Sequence, residues 1–141
     1  MNLKNTNFNL KIILVEPSGP LNIGSIARLC SNFNVNQLRI VSPKCDIYSL
    51  EVKKMALRGI NFIKECNIYE SLIDSISDCD LVLATCGRIE YPKECEQDSL
   101  ENISKWIRNF KEIKNLAILF VREDRGLTNK ELLMAHKVFT I

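Results

Sequence analysis

Four short runs of apolar, mostly branched residues do most to limit how this chain can fold. They are residues 10–15 (Leu-Lys-Ile-Ile-Leu-Val), 37–41 (Gln-Leu-Arg-Ile-Val), 80–85 (Asp-Leu-Val-Leu-Ala-Thr) and 116–121 (Leu-Ala-Ile-Leu-Phe-Val). Each is too continuously apolar for a strand with one face in water. Each therefore reads as a strand covered on both faces, the pattern of a parallel sheet. Parallel neighbours need crossovers, and segments of helical period lie between the runs. Residues 22–34 carry Ile23, Ile26, Ala27, Leu29, Cys30 and Phe33 in a helical stripe, with Asn22 expected as the N-cap. Residues 50–63, 71–76 and 99–110 read as further helices. Residues 128–137 read as a fifth, opened by Thr128 with Glu131 three residues on, a capping box. Val138, Phe139, Thr140 and Ile141 look like another strand beginning. Strand and helix alternating in this way predict an α/β domain, a parallel sheet with helices on both faces.

A chain of 141 residues holds one domain's core. At 46% hydrophobic and 26% charged it is globular material, apart from the Asn-rich residues 1–9, expected as a flexible N-terminus before a domain at 10–141. Nineteen basic residues against 17 acidic ones neither demand nor exclude nucleic acid, and no basic run occurs. The six cysteines (Cys30, Cys45, Cys66, Cys79, Cys86 and Cys95) form no C-x-x-C pair, and His136 is the single histidine, so no metal site is expected. No signal peptide is recognised, and the apolar runs are far too short to span a bilayer. Reduced cysteines in a cytoplasmic protein are the expectation.

Two strand ends carry the most information. After the first run, Pro17, Gly19 and Pro20 make a fixed turn, and Asn22, Gly24 and Ser25 open a helix. Loops at the C-terminal ends of parallel strands collect ligands, and a helix start suits phosphate. Arg28, six residues beyond Asn22, can reach back to the same loop and grip a phosphate or ribose oxygen. A plain helix cap with a surface arginine is the alternative. After the fourth run, Arg122, Glu123, Asp124 and Arg125 follow a buried strand directly, then Gly126, Leu127 and the Thr128 cap. A solvated turn with local ion pairs is the bland reading there. Thr85, Cys86, Gly87 and Arg88 stand at a third strand end, and the three loops are expected to meet on one edge of the sheet.

Together these segments resemble the SpoU branch of the knotted SPOUT RNA 2′-O-ribose methyltransferases, in particular the bacterial group that methylates a tRNA anticodon-loop ribose. The family's Asn-x-Gly followed by Ala-Arg stands here as Asn22, Gly24, Ala27 and Arg28, preceded by Glu16 and Pro17. Its second motif corresponds to residues 120–132, from Phe120 through Arg122, Glu123, Gly126 and Leu127 to Thr128, Asn129, Glu131 and Leu132. Residues 85–88 match its middle turn. The resemblance runs from about Lys11 to Ile141, with two departures. Val121 occupies a position usually held by glycine, and the third motif, which closes the knot, is absent.

The resemblance implies a knotted α/β domain, its knot incomplete in this chain, using S-adenosylmethionine to methylate a ribose of RNA, most simply tRNA. It places Arg28, Asn22 and Glu123 at the reaction. Arg28 would stay cationic and stabilise the developing alkoxide, Asn22 would fix the loop, and Glu123 would orient Arg28 or the ribose. The cofactor would lie against Thr85, Cys86, Gly87, Arg88, Val121, Arg122, Gly126, Leu127 and Ile141. The substrate would meet Asn22, Gly24, Ser25, Arg28 and Arg122. A homodimer is implied, with no metal and no membrane. A remnant that binds RNA without catalysis is the alternative. A nucleotide-binding protein of another class lacks support, because neither G-x-G-x-x-G nor a P-loop lysine motif occurs.

Overall fold

Every crossover in the chain obeys one rule of handedness, and that rule sorts the helices between the two faces of a single sheet. The computed structural model describes residues 8–33, 35–86, 96–110, 112–120 and 127–140. In chain order they form β1 (Asn9–Val15), α1 (Pro20–Asn32), β2 (Gln37–Val41), α2 (Leu50–Ala56), a 3-10 turn (Leu57–Gly59), α3 (Ile60–Glu65), β3 (Asn67–Tyr69), α4 (Leu72–Ile76), β4 (Leu81–Cys86), α5 (Leu100–Arg108), β5 (Asn115–Phe120), α6 (Asn129–Leu132) and β6 (Lys137–Thr140). The strands stand in the order β3-β2-β1-β5-β4-β6, and all pairs are parallel. Steps toward β3 use α1, α2, α3 and α5 on one face. The steps from β3 to β4 and from β5 to β6 run the other way, and α4 and α6 lie on the opposite face. A uniform hand for parallel crossovers requires that segregation.

Alternation along each strand divides the core in two. Leu10, Ile12 and Leu14 of β1 pack with Ile23, Ala27 and Cys30 of α1, Val52 and Ala56 of α2, and Ile103 of α5. Ile13 and Val15 point the other way, with Val41, Leu119, Leu72, Leu132 and Val138. Full burial of each such side chain contributes roughly 1.5–3 kcal/mol.

Local chemistry explains the ends of most elements, and four expectations need correction. Asn22 does not cap α1. Pro20 takes the first helical position, where its missing N–H costs nothing, Gly19 is the cap residue, and Asn22 falls in the first turn. The expected helix over 50–63 breaks at Leu57, whose φ of 51° interrupts the helical ladder before α3 begins. The last helix is shorter than its period suggested, ending at Leu132, and β6 begins at Lys137. The short edge strand β3 was not anticipated, because residues 67–69 are mostly exposed and show no apolar alternation. The capping box at Thr128 does form, with Thr128 N donating to Glu131 Oε1 at 2.8 Å and Glu131 N to Thr128 Oγ1 at 3.1 Å.

Candidate functional site

The sheet places the two informative strand ends side by side. β1 and β5 pair in register, Leu14 opposite Phe120, so the segments that follow them leave the same edge as neighbours although about a hundred residues separate them in sequence. The connection after β1 goes to α1 on one face, and the one after β5 goes to α6 on the other. In open α/β sheets, strands whose connections diverge in this way mark the usual ligand position, a crevice outside their carboxyl ends.

The first wall of that crevice is held by backbone geometry. Glu16, leaving β1, has φ 47°, and Ser42, leaving β2, has φ 41°. These are left-handed conformations that non-glycine residues adopt at some cost. Each is fixed by hydrogen bonds: Glu16 N to Val41 O at 2.8 Å, Ser42 N to Tyr69 O at 2.9 Å, and Ser42 Oγ to Glu70 O at 2.9 Å. Lys44 closes the two loops together, its N donating to Pro17 O at 2.9 Å and its Nζ lying 3.4 Å from Glu16 Oε1.

Along α1, Ile23 and Ala27 are fully buried, Asn22 and Ser25 are half-buried, and Arg28 is exposed. Helical side chains lean toward the N-terminus, so the Arg28 guanidinium has the reach to return to the loop. Among the described residues it makes no hydrogen bond or ion pair, which leaves its donors available. Gly24 also has a packing role. A Cβ there would lie 2.6 Å from Met55 Cβ and 2.8 Å from Val52 O, so its bareness lets α2 press against α1.

The second wall is only partly described. Leu127 is 2% exposed and belongs to the core beside Leu119 and Leu132, so its side chain is floor rather than rim. Val121, Arg122, Glu123 and Gly126, together with Gly87, Arg88 and Ile141, lie outside the described residues. Thr85 is 1% exposed and its Oγ1 donates to Leu119 O at 3.0 Å, so its side chain is committed to the sheet. Cys86 stands level with Thr140 where β4 pairs with β6. Among the described residues no group of three or more His, Cys, Asp and Glu side chains is placed to hold a metal ion. No helix among them is long and apolar enough to cross a membrane.

A strap that sequence reasoning missed runs along the outer edge of β6. Val138 N donates to Glu96 O at 2.9 Å, Asp98 N donates to Val138 O at 3.0 Å, and Gln97 bridges Val138 in parallel. Lys137, only 7% exposed, ties it down, with Nζ 3.2 Å from Glu96 Oε1, 3.3 Å from Asp98 Oδ2 and 4.7 Å from the Trp106 ring centre. β6 is therefore bordered on both sides, by β4 on one and by Glu96, Gln97 and Asp98 on the other. The sequence signal was slight: a lysine opening an apolar strand, with two carboxylates about forty residues earlier.

Residues 9–141 match the SpoU rRNA Methylase family. A Haemophilus influenzae protein named as an uncharacterized tRNA/rRNA methyltransferase is 34% identical over 137 residues, covering 91% of this chain and 51% of its own length. The tRNA (cytidine-2′-O-)-methyltransferase TrmJ of Sulfolobus acidocaldarius is 34% identical over 124 residues, covering 87% of this chain and 51% of its own length. The chain thus spans about half the length of these curated relatives. Among solved structures, a probable methylase family protein of Haemophilus influenzae Rd KW20 superimposes with a TM-score of 0.82 at 30% identity, over 96% of this chain and 55% of that one. The SpoU methyltransferase AviRb of Streptomyces viridochromogenes, solved in complex with AdoMet, shares the fold, with a TM-score of 0.67 at 17% identity over 96% of this chain and 51% of its own. The match runs from the first residue of β1 to the last residue of the chain, through both motifs and the sheet that joins them, and on that ground the chain belongs to the SpoU rRNA Methylase family.

Proposed function

We propose that this chain carries the substrate-gripping part of an S-adenosylmethionine-dependent RNA 2′-O-ribose methyltransferase, with tRNA as its substrate class. The observation that supports this reading is the β1–β5 pairing, which ends side by side the two strands that the motif segments follow in sequence. When bound, the cofactor supplies a sulfonium methyl open to in-line attack by a ribose hydroxyl. The chain's own residues supply position and charge. A guanidinium with a pKa above ~12 is a poor base, so Arg28 acts as a fixed cation that binds a phosphate beside the reacting ribose and stabilises the oxygen as it loses its proton. Asn22 and Ser25, in the first turns of α1, shape the loop that receives the ribose, and Glu123 orients Arg28. Backbone at 85–88 and 121–127, with Ile141, holds the adenosine portion. The tRNA substrate is supported by what TrmJ relatives at about this identity are named for.

The enzyme is read as a cytoplasmic homodimer. Free thiols at Cys30, Cys45, Cys66 and Cys79 support the reducing compartment. Apolar surface on α1 supports the dimer: Leu21, Leu29 and Phe33 are each about half exposed, and Leu29 and Phe33 border a groove of about 260 Å³ also lined by Leu10, Ile12 and Phe120.

A second reading, an RNA-binding module without catalysis, is favoured by Val121, a branched side chain where the resembling enzymes have glycine. Titration with S-adenosylhomocysteine, together with transfer of labelled methyl to unmodified tRNA, separates the two. The enzyme reading expects binding and transfer, with Arg28→Ala abolishing transfer while leaving cofactor affinity within a few-fold. RNA binding without S-adenosylhomocysteine binding establishes the second reading. Loss of cofactor affinity in Arg28→Ala with transfer intact would overturn the role given to Arg28.

A further inference from the structure

We propose that the 3-10 turn Leu57–Gly59 belongs to the RNA-binding surface, with Arg58 as a second phosphate-gripping cation beside Arg28. The inference rests on the reading that this chain acts on RNA and names a residue outside both motifs.

Three observations carry it. The first is contact. A Cβ built on Gly59 would lie 2.2 Å from Ala27 O and 2.6 Å from Arg28 N, so the turn's backbone rests directly on the backbone of α1 where Arg28 stands. Arg58, one residue away, is exposed at the same place. The second is strain. Leu57 holds φ 51° and ψ −118°, a conformation that turns normally give to glycine, and its side chain is 56% exposed. Burial of that leucine does not explain the unfavourable backbone. A continuous helix over 50–63 would avoid it, but would not lay Gly59 on α1. Strain of this kind collects at functional sites.

The third observation is charge. Residues 50–59 carry Lys53, Lys54 and Arg58 against one carboxylate, Glu51. All three cations are exposed, and together with Arg28 they make no hydrogen bond or ion pair among the described residues. A chain with a net charge of only +2 therefore carries an exposed positive excess on α2 and the turn, two elements that pack against α1. Two exposed arginines on backbone segments in direct contact can each offer planar, directed donors to phosphate, which is chemistry suited to a nucleic-acid backbone. The contact is with phosphate and carries no base preference.

The test is the affinity of the 141-residue protein for an unmodified tRNA transcript, followed by fluorescence anisotropy across a series of salt concentrations. Arg58→Ala is expected to weaken binding several-fold and to make the slope of log affinity against log salt shallower by about 1. Arg58→Lys should retain most of the slope. Lys114→Ala removes the same charge at the N-terminal end of β5, away from the strand carboxyl ends, and should change neither quantity. Affinity for S-adenosylhomocysteine should be unaltered throughout. Should the alanine variant melt early, Arg58→Gln repeats the measurement with a longer side chain. If the wild-type protein binds tRNA and neither neutral variant differs from it, the inference fails and the RNA reading stands. Equal losses from Lys114→Ala and Arg58→Ala would reduce the effect to net charge and also overturn it. A wild-type protein that binds no tRNA overturns the RNA reading, and the inference with it.

Discussion

Arg39 is a charged residue in the middle of a buried strand, and its surroundings show what permits that. It is 4% exposed on the face covered by α4. Its guanidinium meets both oxygens of Asp78, at 2.7 and 2.8 Å, donates to Ser75 O at 2.6 Å and lies 5.6 Å from the centre of the Tyr69 ring. The hydrogen bond from Arg39 is the main reason that the Asp78 carboxyl is held well below the usual carboxylate range. A folded-state pKa below the unfolded value of about 3.9 gives stability that is present above that value and lost as pH falls through the folded one. Urea midpoints should therefore hold level from neutral pH to about 5 and then decline. Asp78→Asn should flatten part of that decline and cost about 1–3 kcal/mol at pH 7, the half-exposed carboxylate being partly replaceable by water. An unchanged acid limb in that variant would remove Asp78 from the account. Cys30 illustrates the same physics without a partner: burial pushes its thiol up to about 12, which fits a small apolar filler rather than a reactive group.

At the scale of elements, the approach of α1 to α2 and the 3-10 turn depends on two missing side chains. A Cβ at Gly24 would meet Met55 Cβ and Val52 O, while one at Gly59 would press on the backbone of Ala27 and Arg28. Neither obstacle is the flexible end of a side chain, so relief requires the elements to move apart. Gly24→Ala and Gly59→Ala should each destabilise by about 1–3 kcal/mol, Gly59→Ala more, because its contact is closer and is with main chain. Thermal melts should show losses of about 3–5 °C per kcal/mol in a domain of this size. A Gly59→Ala protein as stable as the wild type would mean that the turn is not pinned to α1.

At the scale of the whole molecule, the helices leave part of one face uncovered. α1 and α5 lie on the same face, and a groove beside Ile26, Leu29 and Phe33 of that face is lined by Leu10 and Ile12 of β1 and Phe120 of β5. Exposed apolar surface of this kind marks an interface. The protein should sediment as a dimer, and Leu29→Glu with Phe33→Glu should convert it to a monomer that keeps its far-ultraviolet circular dichroism. A wild-type monomer at micromolar concentration would contradict the dimer reading.

Much of this was legible in the sequence because local pattern is set by local causes. The continuous apolar runs of β1, β2, β4 and β5 state that both faces are covered, which already implies parallel strands and crossovers. The Thr128–Glu131 capping box is likewise complete within four residues. The motif segments around Arg28 and Gly126 could be singled out as strand ends before any coordinates. What the sequence could not convey arises between residues far apart in the chain. The insertion of β5 between β1 and β4, which ends β1 and β5 side by side, depends on which packing buries the most apolar surface. So do the strap on β6 and the Arg39–Asp78 pair. The break at Leu57 ran against a helical period that looked continuous over 50–63, because the contact of Gly59 with α1 outweighs local helical preference. A residue's period records which of its faces is covered; only the tertiary structure decides what covers it.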